Sequence, residues 1–314
     1  MSLRDYQYFV AVAEEQHFGR AAARCHVSQP TLSIQLKKLE EQLGVLLFER
    51  HPRKVVLTMA GQVVLAKARQ MLRLEQEIGQ LAQAATDPLA GDVRLGVIPT
   101  IAPYVLPYFV PFQREQAPQL KPQLVEEKTE TLLQMLREGT LDTALLALPL
   151  DDVGDLAITP LYQEYFFLAM PEGHPLTQQQ TPTTKDINLG ELLLLTEGHC
   201  LRGHALDVCT SLTSAENTTL RATSLETLRY MVMAGQGVTL LPALALNWPK
   251  GHGQPSWPHM VIRPIRGTNM PRPARQVGVV FRYGYPRAAA LKRLFLGFAE
   301  HLVATHLGVK ALEK

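Results

Sequence analysis

Two cysteines in the second half of the chain, Cys200 and Cys209, have the residue types and spacing needed for redox chemistry. His199 and Arg202 flank the first of them. A thiolate is the reactive form of cysteine, so nearby cationic or hydrogen-bonding groups lower its pKa and raise its reactivity. A second cysteine can condense with the oxidised first one to form a disulfide. The pattern indicates a redox sensor, provided that Cys200 is exposed.

The spacing of these cysteines also predicts a conformational change. In a continuous helix over 200–209, steps of about 100° would place the sulfurs on opposite faces, roughly 13 Å apart along the axis. A disulfide requires Cα atoms about 4.4–6.8 Å apart. Oxidation would therefore have to refold the segment, which converts a covalent event into a structural signal. The alternative is that both thiols are small buried hydrophobes, and spacing alone leaves it open.

The composition is typical of a multidomain globular protein. With 314 residues and 46% hydrophobic content, the chain can bury more than one core. Three unevenly spaced cysteines exclude a disulfide-framework domain. The first residues mix both charge signs and lack the apolar run of a signal peptide, and no apolar stretch approaches ~18 residues. We therefore expect a soluble, cytoplasmic protein with no membrane contact.

The amino-terminal pattern predicts a helix-turn-helix. Helical spacing indicates helices over 3–14 and 18–25, and Ser28 and Pro30 suit the start of a third helix that ends at Gly44. The second helix of such a motif places its first residues in the major groove. Residues near that start can contact bases or phosphates: Ser28, Gln29, Pro30, Thr31, Ser33 and Gln35.

Positive charge is concentrated around this motif. Residues 20–73 carry ten basic side chains against three acidic ones in a chain of net charge +2, which favours a polyanionic partner; a solvated basic face is the alternative. Residues 45–58 resemble a two-stranded wing that carries Arg50, Arg53 and Lys54. These side chains would contact phosphates or the minor groove.

A long helix is predicted from Met59 to about residue 86. Its apolar residues step by three or four, which favours a seam between two chains over packing on its own domain: Val64, Ala68, Met71, Leu74, Ile78, Leu81 and Ala85. We interpret Cys25 as core packing, and His17 and His26 as structural or surface residues.

Strand and helix signals alternate through residues 91–314. Strands near 93–98, 121–125 and 143–148, with helices near 101–116 and 129–138 between them, predict a parallel sheet. The chain then enters a second lobe, and strand 276–281 returns to the first. The predicted architecture is an α+β multidomain protein with a winged helix-turn-helix, a linker helix and a two-lobed, periplasmic-binding-protein-like regulatory domain. The expected bounds are 1–58, 59–88 and 89–314, with lobe I at 89–163 and 269–314 and lobe II at 164–268.

Several motifs resemble LysR-type transcriptional regulators. They include Val27-Ser-Gln-Pro-Thr-Leu-Ser33, Leu43-Gly44 and Leu57-Thr58-x-Ala60-Gly61. The segments Glu197-Gly-His-Cys-Leu-Arg202 and Arg221-Ala-Thr-Ser-Leu-Glu-Thr-Leu-Arg229 further resemble the OxyR branch, the hydrogen-peroxide sensors. The resemblance covers nearly the whole chain and weakens after Arg287. Gly203-His204 departs from the branch, which carries an acidic residue and an amide there.

This resemblance implies a homotetrameric activator that binds double-stranded promoter DNA, senses hydrogen peroxide and controls oxidative-stress genes. RNA polymerase and a disulfide reductant of the glutaredoxin or thioredoxin type are implied partners, and no cofactor or metal is expected. Cys200 would be the peroxidatic and Cys209 the resolving cysteine, and the pocket would contain the following residues: Thr100, Thr129, His199, Arg202 and Arg275.

Two other functions remain possible on the residues alone. A small metabolite could occupy the cleft between the lobes, with the cysteines merely structural. A thiol peroxidase is a third interpretation, although a basic winged helix would have no role in an enzyme. A transport-type binding protein is disfavoured because the start of the chain lacks a signal-peptide pattern and carries a DNA-binding module.

Overall fold

The computed structural model describes residues 1–51, 54–84, 86–151, 153–196, 221–253, 256–267 and 271–312. The described chain divides into two compact units, Met1–Ala85 and Thr86–Lys314. The segment 197–220, which contains His199, Cys200, Arg202 and Cys209, lies outside the described residues.

The first unit contains four helices and a two-stranded wing among its described residues. They are α1 (Leu3–Glu15), α2 (Phe18–Arg24), α3 (Gln29–Leu43), β1 (Phe48–His51), β2 (Lys54–Leu57) and α4 (Met59–Ala84). The strands of the wing pair antiparallel, with Phe48 opposite Leu57. The core of this unit combines Phe9 with the apolar face of α3. The predicted helix-turn-helix and wing are therefore confirmed.

Local signals explain where these helices begin and end. The Ser28 hydroxyl accepts a hydrogen bond from the Thr31 amide, and Gly44 ends α3 in the left-handed conformation. The His17 Nδ1 atom caps α2 by accepting from the Gly19 and Arg20 amides, which is the structural role predicted for it. At the start of α4, a Cβ on Gly61 would lie 2.2 Å from the Leu47 carbonyl oxygen, so only glycine fits.

The second unit contains one eight-stranded mixed sheet. Its first part contains β3 (Gly91–Val97), α5 (Ala102–Gln116), β4 (Leu120–Glu126), α6 (Thr129–Glu138) and β5 (Thr143–Leu148). As predicted, β3, β4 and β5 are parallel. The long strand β6 (Leu156–Pro171) follows. The later elements are β7 (Leu194–Leu195), β8 (Arg221–Ala222), α7 (Leu225–Met233), β9 (Thr239–Pro242), β10 (Met260–Pro264), β11 (Ala274–Arg282), α8 (Ala288–Thr305) and β12 (Val309–Lys310).

Strand β6 joins two hydrophobic cores, which define two lobes. The first lobe buries β3, β5, β11, α5 and α8, and β6 contributes Tyr162 to it. The second lobe buries β9, β10 and α7, and β6 contributes Phe166 to it. Strand β11 pairs antiparallel with both β5 and β6, so the chain returns to the first lobe as predicted.

Candidate sensing site and candidate nucleic-acid interface

Thr100 and Arg275 meet in a buried polar cluster of the second unit. Thr100 follows β3 and is 2% exposed. Arg275 Nη1 donates to Thr100 Oγ1 at 3.2 Å, and its Nη2 donates to the Thr100 carbonyl oxygen at 3.0 Å. Because the Thr100 oxygen accepts from a guanidinium, its own proton remains to be donated to a ligand oxygen. The strand predicted over 276–281 leaves Arg275 just before it; Arg275 is instead the second residue of β11, and a further strand, β12, follows.

Glu164 completes the cluster, and the sequence analysis missed it. It lies on β6 directly opposite Arg275, and Nε and Nη2 of Arg275 donate to its Oε2 at 2.8 and 2.7 Å. The other carboxylate oxygen accepts from the Leu244 amide at 2.7 Å. The side chains of Glu164 and Arg275 are only 0% and 1% exposed, so this buried charge pair is compensated from both sides.

Thr129 lies at the same edge of the sheet as Thr100. The parallel strands β3 and β4 end opposite each other at Val97 and Glu126, so the segments that follow leave the sheet at neighbouring positions. Thr129 is the first residue of α6 and Lys128 occupies the cap position, so Thr129 does not serve as the helix cap.

The strands that flank the predicted redox segment are paired with each other. Leu194 lies opposite Arg221 and Leu195 opposite Ala222 in a parallel pair, and the Thr196 amide donates to the Ala222 carbonyl. The last described residue before the segment and the first after it are therefore held side by side.

A hydrogen-bonded chain of side chains links the two lobes. The Tyr104 hydroxyl on α5 donates to Glu226 Oε1 on α7 at 2.7 Å, and Arg229 pairs with Glu226 at 3.3 Å. The Arg229 guanidinium lies 4.3 Å from the centre of the Trp257 ring. Burial, followed by the hydrogen bond to Glu226, raises the pKa of Tyr104, so the phenol stays protonated and donates.

The start of α3 forms the candidate nucleic-acid interface in the first unit. Ser28, Gln29, Pro30 and Thr31 are exposed, as base or phosphate contacts require. Ser33 and Gln35 are half-buried and lie at the two edges of the exposed face. Its centre is Ile34, which is 65% exposed and was not singled out from the sequence. The tip of the wing and the side chains of Arg50 and Arg53 lie outside the described residues.

Ion pairs within the unit offset part of its positive charge. Arg24 and Arg69 contact Glu14, Arg20 contacts Glu15, and Lys37 contacts Glu41. Glu14 and Glu15 precede the basic segment, so the count over residues 20–73 overestimated its excess charge. A concavity beside α3 is lined by Arg4 and Lys38, which are further candidates for phosphate contacts.

The apolar stripe of α4 is divided between two environments. Ala68 is fully buried in the core of the first unit, whereas Met71, Leu74 and Ile78 are 38%, 50% and 68% exposed. Cys25 is half-buried against the same core, as predicted. Burial raises the pKa of its thiol, and Arg24 and Arg4 partly oppose this effect.

Among the residues that the structure describes, no three His, Cys, Asp or Glu side chains converge to hold a metal ion. No described helix is both long enough and apolar enough to span a bilayer.

A winged helix-turn-helix followed by a two-lobed α/β domain with a polar cluster at the sheet edge defines a DNA-binding regulator with a sensing domain. Residues 3–62 match the sequence profile of the bacterial regulatory helix-turn-helix proteins of the LysR family, and residues 86–302 match that of the LysR substrate binding domain. The chain therefore belongs to the LysR family of transcriptional regulators.

Within this family, the individual relatives place the chain in the OxyR branch. The chain is 41% identical over 294 residues to the DNA-binding transcriptional dual regulator OxyR of Escherichia coli, covering 94% of this chain and 93% of that protein. A full-length OxyR variant of Pseudomonas aeruginosa is 39% identical with a TM-score of 0.74, covering 96% and 95% of the two chains. A hydrogen peroxide-bound OxyR variant of Corynebacterium glutamicum is 34% identical with a TM-score of 0.63, covering 96% and 94%.

Proposed function

We propose that this regulator senses hydrogen peroxide through oxidation of Cys200 and a disulfide between Cys200 and Cys209, and that the change alters promoter binding. The observation that supports this most directly is the buried cluster of Thr100, Arg275 and Glu164. Thr100 and Arg275 are two of the positions at which the family resemblance expects a peroxide pocket.

The proposed chemistry takes two steps, with peroxide as the oxidant. The Cys200 thiolate attacks one peroxide oxygen, the O–O bond breaks, and hydroxide leaves and is protonated to water. The resulting sulfenic acid is attacked by the Cys209 thiolate, which forms the S–S bond and releases a second water. A dithiol reductant of the thioredoxin or glutaredoxin type would restore both thiols.

We assign distinct roles to the pocket residues. Thr100, Thr129 and His199 would hold the peroxide. Glu164 already compensates the charge of Arg275, so Arg275 would act mainly by fixing the orientation of the Thr100 hydroxyl. Stabilisation of the departing hydroxide would then fall to Arg202.

Stoichiometric peroxide added to the reduced, full-length protein tests the redox proposal. Mass spectrometry of the digest should show a Cys200–Cys209 crosslink, and Cys200→Ser should abolish both the crosslink and the peroxide response in a promoter assay. Cys25→Ser is the matched control and should respond as the wild type does. A Cys200→Ser protein that still responds, or a wild type without the crosslink, would instead support sensing of a metabolite in the cleft.

For DNA, we propose that Ser28, Gln29, Pro30, Thr31, Ser33 and Gln35 of α3 contact bases and nearby backbone, and that Arg50 and Arg53 of the wing contact phosphates. Binding to a selected site and to random DNA would be compared by fluorescence anisotropy. Gln29→Ala should lower the affinity for the selected site more than the affinity for random DNA. Arg53→Ala should lower the two affinities by the same factor. Equal losses of both for Gln29→Ala would contradict the assignment of Gln29 to base reading.

We further propose a homotetramer that acts on cytoplasmic promoter DNA and contacts RNA polymerase, with no catalytic turnover. In the presence of a reductant, peroxide should be consumed only as fast as the disulfide is re-reduced, so few equivalents per sensing site should disappear within the time of a peroxidase assay. Rapid, repeated consumption would instead indicate a thiol peroxidase.

A further inference from the structure

A cavity of about 340 Å³ lies on the open face of three neighbouring strands, β11, β6 and β12. Gln163 of β6 lies directly opposite Gln276 of β11 on one side and Lys310 of β12 on the other. Residues that face each other across antiparallel strands point to the same face of a sheet. These three polar side chains therefore form one row across the cavity.

The adjacent row points the other way. Arg275, Glu164 and Val309 are the next partners along the same strands, and all three are buried. The cavity is thus separated from the Thr100 cluster by the thickness of the sheet. Strand β6 lies between them and contributes to the cores of both lobes.

Arg272 and Lys310 supply the positive charge of the cavity, and the environment of Arg272 is the more unusual of the two. Its guanidinium lies 4.4 Å from the centre of the Tyr165 ring and 4.7 Å from that of Phe167. Its Nε and Nη2 atoms are buried, and no described residue is their hydrogen-bond partner. Cation–π contact offsets only part of the cost of desolvating a guanidinium, so an unpaired one favours binding an anion.

The other walls indicate what kind of anion would fit. Two primary amides, Gln163 and Gln276, can donate to oxygens, and Tyr165, Pro271 and Leu312 provide apolar surface. None of the described residues that line the cavity is acidic. Ligand pockets commonly measure about 300–1,000 Å³, so this volume suits a small molecule.

We propose that this cavity is a second ligand site, distinct from the peroxide pocket, and that it binds a small carboxylate through Arg272 and the two glutamines. The planar fork of an arginine matches a carboxylate in two parallel hydrogen bonds. Because the floor of the site is the strand shared by both lobes, its ligand lies against the connection between them.

Isothermal titration of the full-length reduced protein with succinate, a small dicarboxylate probe, tests the site. Wild type should bind one succinate per chain saturably, and Arg272→Gln should weaken binding by about tenfold or more because a charge-assisted pair is lost. Arg272→Lys, which keeps the charge but not the fork, should give an intermediate loss. Arg293→Gln, an exposed position on α8, is the matched control and should bind as the wild type does.

Gln276→Glu provides an independent variant if Arg272→Gln fails to fold. Gln276 is exposed, and a carboxylate there would repel an anionic ligand and compete with it for Arg272. The proposal is overturned if wild type shows no saturable succinate binding, or if succinate binds equally well to the folded variants. Saturable binding of inorganic phosphate without succinate would also overturn the assignment to carboxylates.

Discussion

At the scale of single residues, the buried pair of Glu164 and Arg275 is the most consequential feature of the sensing domain. Removing one partner of such a pair leaves an uncompensated charge away from water. We expect Glu164→Gln to lower the free energy of unfolding by about 3–5 kcal/mol. Urea denaturation of the reduced protein would measure the loss.

Glu172→Gln is the matched control for this substitution. Glu172 directly follows the same strand, β6, but its side chain is 62% exposed and pairs with His259 at 3.8 Å. An exposed pair contributes little, about 0–1 kcal/mol. If Glu164→Gln were no more destabilising than this control, the buried pair would not hold the site together.

His306 should make stability depend on pH. It is 4% exposed, and its Nε2 atom has no hydrogen-bond partner within the described part of the chain. Burial, with a smaller effect of His301, lowers the pKa of its imidazole, so the unfolded chain takes up the proton first as pH falls. The stabilisation by neutral His306 is complete above the ordinary histidine pKa of about 6.5 and is lost below it.

Replacing His306 with glutamine removes this titration. The free energy of unfolding of His306→Gln should fall less between pH 7.5 and 5.5 than that of wild type, as measured by urea denaturation at each pH. His252→Gln, at an exposed position, is the control and should keep the wild-type slope. An unchanged slope in His306→Gln would refute the role of burial.

The sequence predicted part of the site through its family resemblance. The family resemblance pointed to Thr100 and Arg275, and the structure brings them into hydrogen-bonding contact. Glu164 was missed because no local pattern marks a carboxylate in a strand as buried; only the register between β6 and β11 reveals its partner. The same limit applies to Arg20 and Arg24, whose charges are offset by Glu14 and Glu15 of a different helix.

At the scale of elements, the exposed face of α3 suggests a contact that its polar residues do not provide. Ile34 presents an apolar side chain at the centre of that face. The thymine methyl group is the apolar feature of the major groove, so we expect Ile34 to contact one. Ile34→Ala should lower affinity for a selected site, by an amount in the range of about 1–3 kcal/mol typical of one base pair.

Replacing single thymines by uracil in the selected site identifies that contact. At one position, the replacement should lower the DNA affinity of the wild type more than it lowers the affinity of the Ile34→Ala protein, as measured by fluorescence anisotropy. Lys38→Gln, one turn further along α3, is the control. It should reduce affinity and the salt dependence of binding by the same amount for the thymine-containing site and for its uracil-substituted form. If every thymine replacement affected both proteins equally, Ile34 would not read a methyl group.

The exposed half of the α4 stripe should associate with another chain. Met71, Leu74 and Ile78 are spaced for one helical face and remain exposed. Leu74→Glu should therefore reduce the molar mass in solution, as measured by light scattering after size exclusion. Gln62→Glu adds the same charge at an exposed position on another face of the helix and should leave the mass unchanged. An unchanged mass for Leu74→Glu would place the assembly contact elsewhere.

Periodicity predicted most helices and strands within a few residues because caps and apolar spacing are local. The start of α3 at Ser28 and its end at Gly44 are examples. Periodicity did not reveal that β6 continues through both lobes and pairs with β9, β10, β11 and β12. These pairings are set by contacts between residues distant in sequence, such as Phe167 with Leu241.

At the scale of the whole molecule, the second unit contains its own hydrophobic cores. It also holds the first residues of its own chain segment by hydrogen bonds. Arg287 is fully buried and donates to the carbonyl oxygens of Pro88, Ala90 and Asp92, each at 2.8 Å. These acceptors come from the segment directly after α4. Hydrogen bonds therefore stabilise this segment as part of the second unit, although in sequence it continues from the linker helix α4.

A fragment over residues 86–314 should consequently fold without the first unit, form the peroxide-induced crosslink and fail to bind DNA. A shorter fragment over 93–314 would leave the buried Arg287 guanidinium without those three acceptors. Loss of charged hydrogen bonds costs about 1.5–3 kcal/mol each, so the shorter fragment should be unfolded or far less stable in urea denaturation. Arg287→Met in the shorter fragment should recover part of the loss, because the orphaned charge is removed. If both fragments unfolded at the same urea concentration, residues 86–92 would be only a tether and the boundary of the sensing domain would lie at β3.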